Sequence, residues 1–286
     1  MASFRTEQKD DDVTDGLAFF GLERISRNRW RMPVVRQLIS GTGALFGGAG
    51  LGAAIEIAEA ESGRPTIWAT AQYLNYAPEG SELILDVNEV VHGNQVSQVR
   101  VIARSDDREI LTVVGAYGMR PLDTAGQWAQ MPAVPPPHEC PPRPLMDQHQ
   151  GTISSRMDMR LANARPMTEF PSTPGTGNSA LWTRFPGRPE LKASGLAVIG
   201  DFVPFGISQA LGMRAGGNSI DNTLRVANLV DSEWMLIDIR IHAVNNGFGH
   251  GLVHLWSEDG VLLGTASQST MVRHWQEQPP TTQEVK

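Results

Sequence analysis

The chain has 286 residues, 41% apolar and 19% charged, enough to bury a core as one large domain or two medium ones. A net charge of -7 and a pI of about 5.5, with no basic tract, argue against a nucleic-acid partner. The single cysteine, Cys140, excludes an intrachain disulfide and fits a reducing cytosol, so a cytoplasmic location is expected.

The N-terminus carries Asp10, Asp11 and Asp12 where a secretion signal needs an apolar run. A loose N-terminus is expected over residues 1–16. LFGGAGLGAAIEIAEA, residues 45–60, is glycine-rich and then helical, and a helix is predicted over about 48–62. A dinucleotide-binding reading of this run needs a following strand that ends in an acidic residue, and residues 66–76 contain none. A phosphate loop needs Gly-Lys-Ser/Thr, also missing here. The glycines are better explained by close helix–sheet packing, with bare N–H groups at the helix start.

Four strand-like runs follow: TIWATAQYLNY, ELILDVNEVVH, QVSQVRVIARS and EILTVVGAYG. Of the 19 prolines, 13 fall between Pro121 and Pro189, and QMPAVPPPHECPPRP reads as a linker. GLAVIGDFVPFGISQALG predicts a second helix. SIDNTLRVAN, EWMLIDIRIHA, GHGLVHLWS and VLLGTASQSTMVR predict four more strands. Placing Ser81 on Ser232 superimposes the halves at an offset of 232 − 81 = 151, which sets Tyr117 against Gln268 and Asn94 against Asn245. One helix followed by an antiparallel meander, used twice, is a tandem duplication. The expected division is a first domain over 17–125, a proline-rich linker over 126–190, a second domain over 191–275 and a loose tail over 276–286. No stretch reaches the roughly 18 uninterrupted apolar residues of a membrane span, so no stable membrane insertion is expected.

Several segments together resemble the bacterial acyl-CoA thioesterase II family, the double-hotdog thioesterases. They are LFGG, QYLNYAPEGSELILDV, HGNQVSQVRVIA, QMPAVPPP, SIDNTLRV, residues 233–236 and SEDGVLLGTASQS. The resemblance runs from about Gly21 to Arg273. It implies an α+β fold, a tandem double hotdog in which a long helix is wrapped by an antiparallel β-sheet twice. It implies hydrolysis of acyl-CoA to free fatty acid and CoA by direct water attack, with no cofactor. It also implies an Asp, a Thr or Ser, and a Gln that together hold the water. Carried over position by position, the Asp falls on Asp221 and the Gln on Gln268. The hydroxyl falls on His242, a departure, and a histidine there can form an Asp–His–water relay. The family's first-half strand histidine has no counterpart either.

Gly47 and Gly48, at the helix start, are candidates to polarise the thioester carbonyl, and Asn245 is a further substrate-binding candidate. Other hotdog thioesterases carry a catalytic carboxylate on this helix and Glu56 could play that part, but a solvated or salt-bridged face is the favoured reading. The first half lacks a matched Asp and Gln, so one working site is expected. His138–Glu139–Cys140 sits in the proline linker without a zinc-deaminase pattern, and His250 with His254 lacks further ligands, so no metal is expected. Two other activities stay open. One is a hotdog enoyl-CoA hydratase or dehydratase using Asp221 with His242. The other is a non-catalytic acyl-CoA-binding protein. A homo-oligomer is compatible with sheets that pair edge to edge.

Overall fold

The structure, a computed structural model, describes residues 16–187 and 192–275. The expectations for the loose termini lie, apart from Gly16, outside the described residues. The first half comprises α1 (Gly16–Phe20), β1 (Glu23–Ser26), β2 (Arg29–Pro33), α2 (Gly47–Ser62), β3 (Thr66–Tyr73), β4 (Glu82–His92), β5 (Val96–Ser105) and β6 (Arg108–Gly118). The second comprises β7 (Asp158–Asn163), β8 (Asn178–Arg184), α3 (Ala193–Gly200), α4 (Val203–Leu211), β9 (Ala215–Val226), β10 (Met235–Asn245), β11 (Phe248–Ser257) and β12 (Leu262–His274).

Among the described residues twelve strands form one sheet in the order β1-β2-β4-β5-β6-β3-β9-β12-β11-β10-β8-β7. Read outward from the β3–β9 junction, the two arms have the same plan. Each repeat is a short hairpin, a helical segment and four antiparallel strands; the last three form a meander, and the first, instead of pairing with the next strand as a simple meander requires, pairs with the last. The junction itself is antiparallel, with Thr70 opposite Thr223 and their hydroxyls 2.9 Å apart. This is the tandem double hotdog.

Two parts of the sequence reading change. Residues 126–190 are not only a linker, because β7 and β8 lie inside them and β8 pairs with β10. The proline run from Pro135 to Pro144 stays outside the strands, as its missing N–H groups require. The repeat offset also changes. The β4–β5 ladder slips between Glu89 and Val91, and the β10–β11 ladder slips between Ile241 and Ala243. The β3–β6 ladder slips between Thr66 and Trp68, and β9 carries the matching slip between Ser219 and Asp221. Superimposing these bulges gives offsets of 241 − 89 = 152 and 219 − 66 = 153. Gln268 therefore corresponds to Gly115, and Tyr117 to Thr270. His242 corresponds to Val90 and Asn245 to Gly93.

The helices form the core. α2 is buried from Gly48 to Ala58, and α3 is buried throughout. A Cβ on Gly48 would lie 2.7 Å from the Ala197 carbonyl oxygen, and one on Gly52 2.8 Å from that of Ser194. The glycine run thus lets two helices touch backbone to backbone. Residues 193–211 are long and apolar enough to cross a membrane by composition, but 78% of that stretch is buried inside the fold. The stretch is also broken. Pro204 near the start of α4 has no N–H and its ring would clash with the Gly200 carbonyl, so the helix stops at Asp201 (φ -90°, ψ 48°) and restarts.

Candidate active site

The break puts one carboxylate in the middle of the core. Asp201 is the only charged residue between Lys192 and Arg214, and it is 5% exposed. Its Oδ2 accepts the backbone N–H of Gly48 at 2.7 Å. Its Oδ1 accepts from the Ser219 hydroxyl at 3.1 Å and from the Gln268 amide. The same amide nitrogen donates to Ser219 Oγ at 2.6 Å. Burial raises the Asp201 carboxyl to about 6, and the bonds from Gln268, Gly48 and Ser219 hold it from rising further.

Each partner comes from a different element. Phe46 caps α2 with no side-chain bond, so the first N–H groups of the helix are left to other partners. Gly48 gives its N–H to Asp201. Gly47, one position earlier, has no intrahelical acceptor and lines a cavity. Ser219 and Gln268 come from the neighbouring strands β9 and β12. Gln268 stands opposite Asn222 and Thr270 opposite Ser219, with the bulge at Ile220 between them. Without the extra residue, Ser219 and Asn222 would point to opposite faces. The bulge brings both to the face toward the helices, where Gln268, Thr270 and Asn222 are buried.

The cavity has a volume of about 480 Å³. Asp201, Ser219 and Gly47 line one wall, with Tyr73 beside them. The Tyr73 hydroxyl is buried and finds no partner. A Cβ on Gly47 would lie 3.1 Å from that hydroxyl, so the two groups are neighbours. Burial, with the nearby Asp201 and Asp221, raises the Tyr73 phenol well above its usual value and keeps it protonated. The remaining wall is largely apolar, including Phe46, Leu111, Phe202 and Phe205.

The sequence-derived candidates separate. Gln268, Gly47 and Gly48 meet here. Asp221 does not: it stands opposite Ser269, on the other face of β9 from Asn222, and accepts the Ser269 N–H at 3.0 Å. His242 is exposed at the β10 bulge, and β10 is separated from β9 by β11 and β12. Three strand spacings amount to about 14 Å, so Asp221 and His242 form no relay. Asn245 is exposed at the β10–β11 turn, where Asn246 and Gly247 take positive φ. Beside Gln268 the structure places the Ser219 hydroxyl rather than His242, and the Asp201 carboxylate rather than Asp221. A lone Asp three residues before a Pro inside a long apolar run was the sequence signal for Asp201.

Glu56 is buried but accepts from Ser194 and does not line the cavity. In the first half, Thr66 stands where Ser219 does, and donates its hydroxyl to Glu59 at 2.6 Å. Gly115 stands where Gln268 does. The mirror position therefore has no amide to complete a trio. Among the described residues no three His, Cys, Asp or Glu side chains converge as metal ligands would.

Comparison with known proteins agrees with this architecture. The profile of the acyl-CoA thioesterase N-terminal domain matches residues 38–120, and that of the C-terminal domain matches residues 137–272. A solved candidate thioesterase from Novosphingobium aromaticivorans DSM 12444 is 33% identical, with a TM-score of 0.78 over 87% of this chain and 97% of that one. A hot dog fold protein of unknown function from Alicyclobacillus acidocaldarius is 17% identical, with a TM-score of 0.79 over 91% and 98%. The acyl-CoA thioesterase II TesB2 from Mycobacterium marinum is 17% identical, with a TM-score of 0.70 over 93% and 99%. The last two show the fold alone. No curated protein matches this chain in sequence. Both domain profiles, in order, and a one-third-identical relative along nearly its whole length make this chain a member of the acyl-CoA thioesterase family.

Proposed function

We propose that this protein hydrolyses acyl-CoA to a free fatty acid and CoA by direct attack of water. The observation that carries the reading is the buried Asp201 carboxylate, held by Ser219, Gln268 and the start of α2 at the wall of a largely apolar cavity. The Gln268 Oε1 is buried without a partner and accepts a hydrogen bond through one proton of the water. Asp201 Oδ2 has accepted only one hydrogen bond and keeps a lone pair for the other. With its carboxyl near 6, Asp201 is ionised at neutral pH yet basic enough to take that proton.

The thioester carbonyl lies against the Gly47 N–H and the Tyr73 O–H, which receive the developing oxyanion. Water oxygen adds to the carbonyl carbon as its proton passes to Asp201. The tetrahedral intermediate collapses, the C–S bond breaks, and the departing CoA sulfur takes the proton from Asp201. The chemistry needs no cofactor, and the acyl chain lies along the apolar wall.

The hydratase alternative rested on His242 beside Asp221, a pair that three strand spacings keep apart. The non-catalytic alternative rested on a lost hydroxyl, which Ser219 supplies. The test is CoA release, trapped by a thiol reagent, from acyl-CoAs of short to long chain, beside hydration of enoyl-CoA. CoA release that collapses in Asp201→Ala supports the reading. Hydration without release, or acyl-CoA bound with no turnover, overturns it.

A further inference from the structure

The cavity has a second polar corner that the hydrolytic chemistry does not use. Arg143, at the end of the proline run, and His149, just after it, line it together with the catalytic wall. The Arg143 guanidinium touches the Met159 sulfur at 3.4 Å and lies over the Phe205 ring at 5.4 Å. Among the described residues no carboxylate pairs with it, and burial alone lowers its pKa to about 10. Both ring nitrogens of His149 are buried without a partner. Burial and the neighbouring Arg143 cation lower the His149 pKa, so the ring is neutral at pH 7 and offers one N–H.

The corner is built rather than incidental. The Arg143 N–H donates to the Met159 carbonyl at 2.8 Å, which fixes where the side chain leaves the backbone. A Cβ on Gly41 would lie 2.5 Å from His149 Cε1, so only glycine there lets the imidazole seat. A purely hydrocarbon ligand gives no reason to hold a partly buried cation beside an unpartnered imidazole, because both lose hydration without return. An anionic oxygen group gives one, accepting from the guanidinium and from the imidazole N–H.

We infer that Arg143 and His149 form an anion-binding subsite of the substrate cavity, which receives a carboxylate or phosphate carried by the thioester substrate. This rests on the proposed hydrolysis of acyl-CoA. A carboxylate would sit at the far end of the acyl chain, making the preferred substrates dicarboxylic acyl-CoAs. A phosphate would belong to CoA itself. In either case Arg143 sets specificity and takes no part in bond breaking.

The test uses three thioesters with equal acyl chains: one of CoA with a terminal carboxylate, one of CoA without it, and one of pantetheine with neither carboxylate nor phosphate. kcat/KM is measured for wild type, Arg143→Met and His149→Phe, and binding of the matching thioethers, which cannot be hydrolysed, is measured by calorimetry. Loss of a charge-assisted bond predicts a fall of about 10- to 100-fold. A fall confined to the carboxylated substrate assigns the subsite to the acyl chain. A fall with both CoA thioesters but not with pantetheine assigns it to a CoA phosphate. An equal fall on all three, or none on any, overturns the inference. Thermal unfolding of Arg143→Met accompanies these, and no loss of stability is expected because a partly buried charge with no carboxylate partner is removed. If that variant does not fold, His149→Phe reads the same selectivity. Binding that depends on Arg143 with no thioester hydrolysed would leave the subsite standing and remove the hydrolase reading.

Discussion

Replacing Asp201 with asparagine should make the protein inactive and, at alkaline pH, more stable. The Asp201 carboxyl rises from 3.8 to about 6 on folding, chiefly through burial. A shift of roughly two pKa units corresponds to about 3 kcal/mol between protonation states. Because the folded value is the higher one, this contribution favours the fold fully below pH 3.8 and is lost as pH rises through about 6. At pH 8 the wild type therefore holds an ionised buried carboxylate that the fold would be more stable without. Asparagine keeps an oxygen for the Gly48 N–H and turns an amide toward Gln268, whose own amide can flip to accept it. Urea unfolding at pH 4 to 8 should show Asp201→Asn gaining on the wild type by up to about 3 kcal/mol at the alkaline end, with the gain shrinking toward pH 4. A difference that does not vary with pH, or a variant less stable at pH 8, would refute the reasoning. So would CoA release that survives the substitution.

Tyr73→Phe should lower kcat by about 100-fold, the usual loss for one oxyanion donor. Its thermal stability should not fall, since the hydroxyl has no partner to lose; unchanged kcat in steady-state assays would remove Tyr73 from the site. Gly48→Ala should destabilise by about 1–3 kcal/mol, because the new methyl meets the Ala197 carbonyl oxygen and Val198 Cα, which are backbone and cannot step aside. Denaturant melts check this. His242→Ala and Asp221→Asn should leave kcat/KM unchanged, given an exposed bulge residue and a carboxylate bonded to a strand N–H on the opposite face. A collapse in either would reopen the relay between them.

The four strands after each helical segment, and the segments themselves, were legible because apolar and polar residues alternate at period two after each apolar helical run, but that β3 pairs with β6 and β9 with β12 was not. The hairpins β1–β2 and β7–β8 were not. All four residues of Glu23–Ser26 are exposed, and although β2 buries Trp30 and Met32 and β7 buries Met159 and Leu161, each is only five or six residues long with arginines between the apolar positions, so the alternation is too short to stand out. The site was half legible. Gln268 and the helix start could be placed, because one precedes a strand end and the other is marked by glycines. The carboxylate was sought on β9 at Asp221, whereas it sits at the α3–α4 break. A one-residue bulge at Ile220 leaves no trace in hydrophobic periodicity, yet it decides which of Ser219 and Asp221 faces the helices. The helix break that turns Asp201 inward was written in Pro204, but its consequence depends on α2 lying alongside, a tertiary fact.

The central claim is that Asp201 is the base, and a pH profile of kcat/KM for CoA release tests it most directly. The profile should rise through an apparent pKa of about 6, level off toward pH 8, and vanish in Asp201→Asn. A profile that is flat from pH 5 to 8, or a rising limb that persists without the carboxylate, would place the base elsewhere.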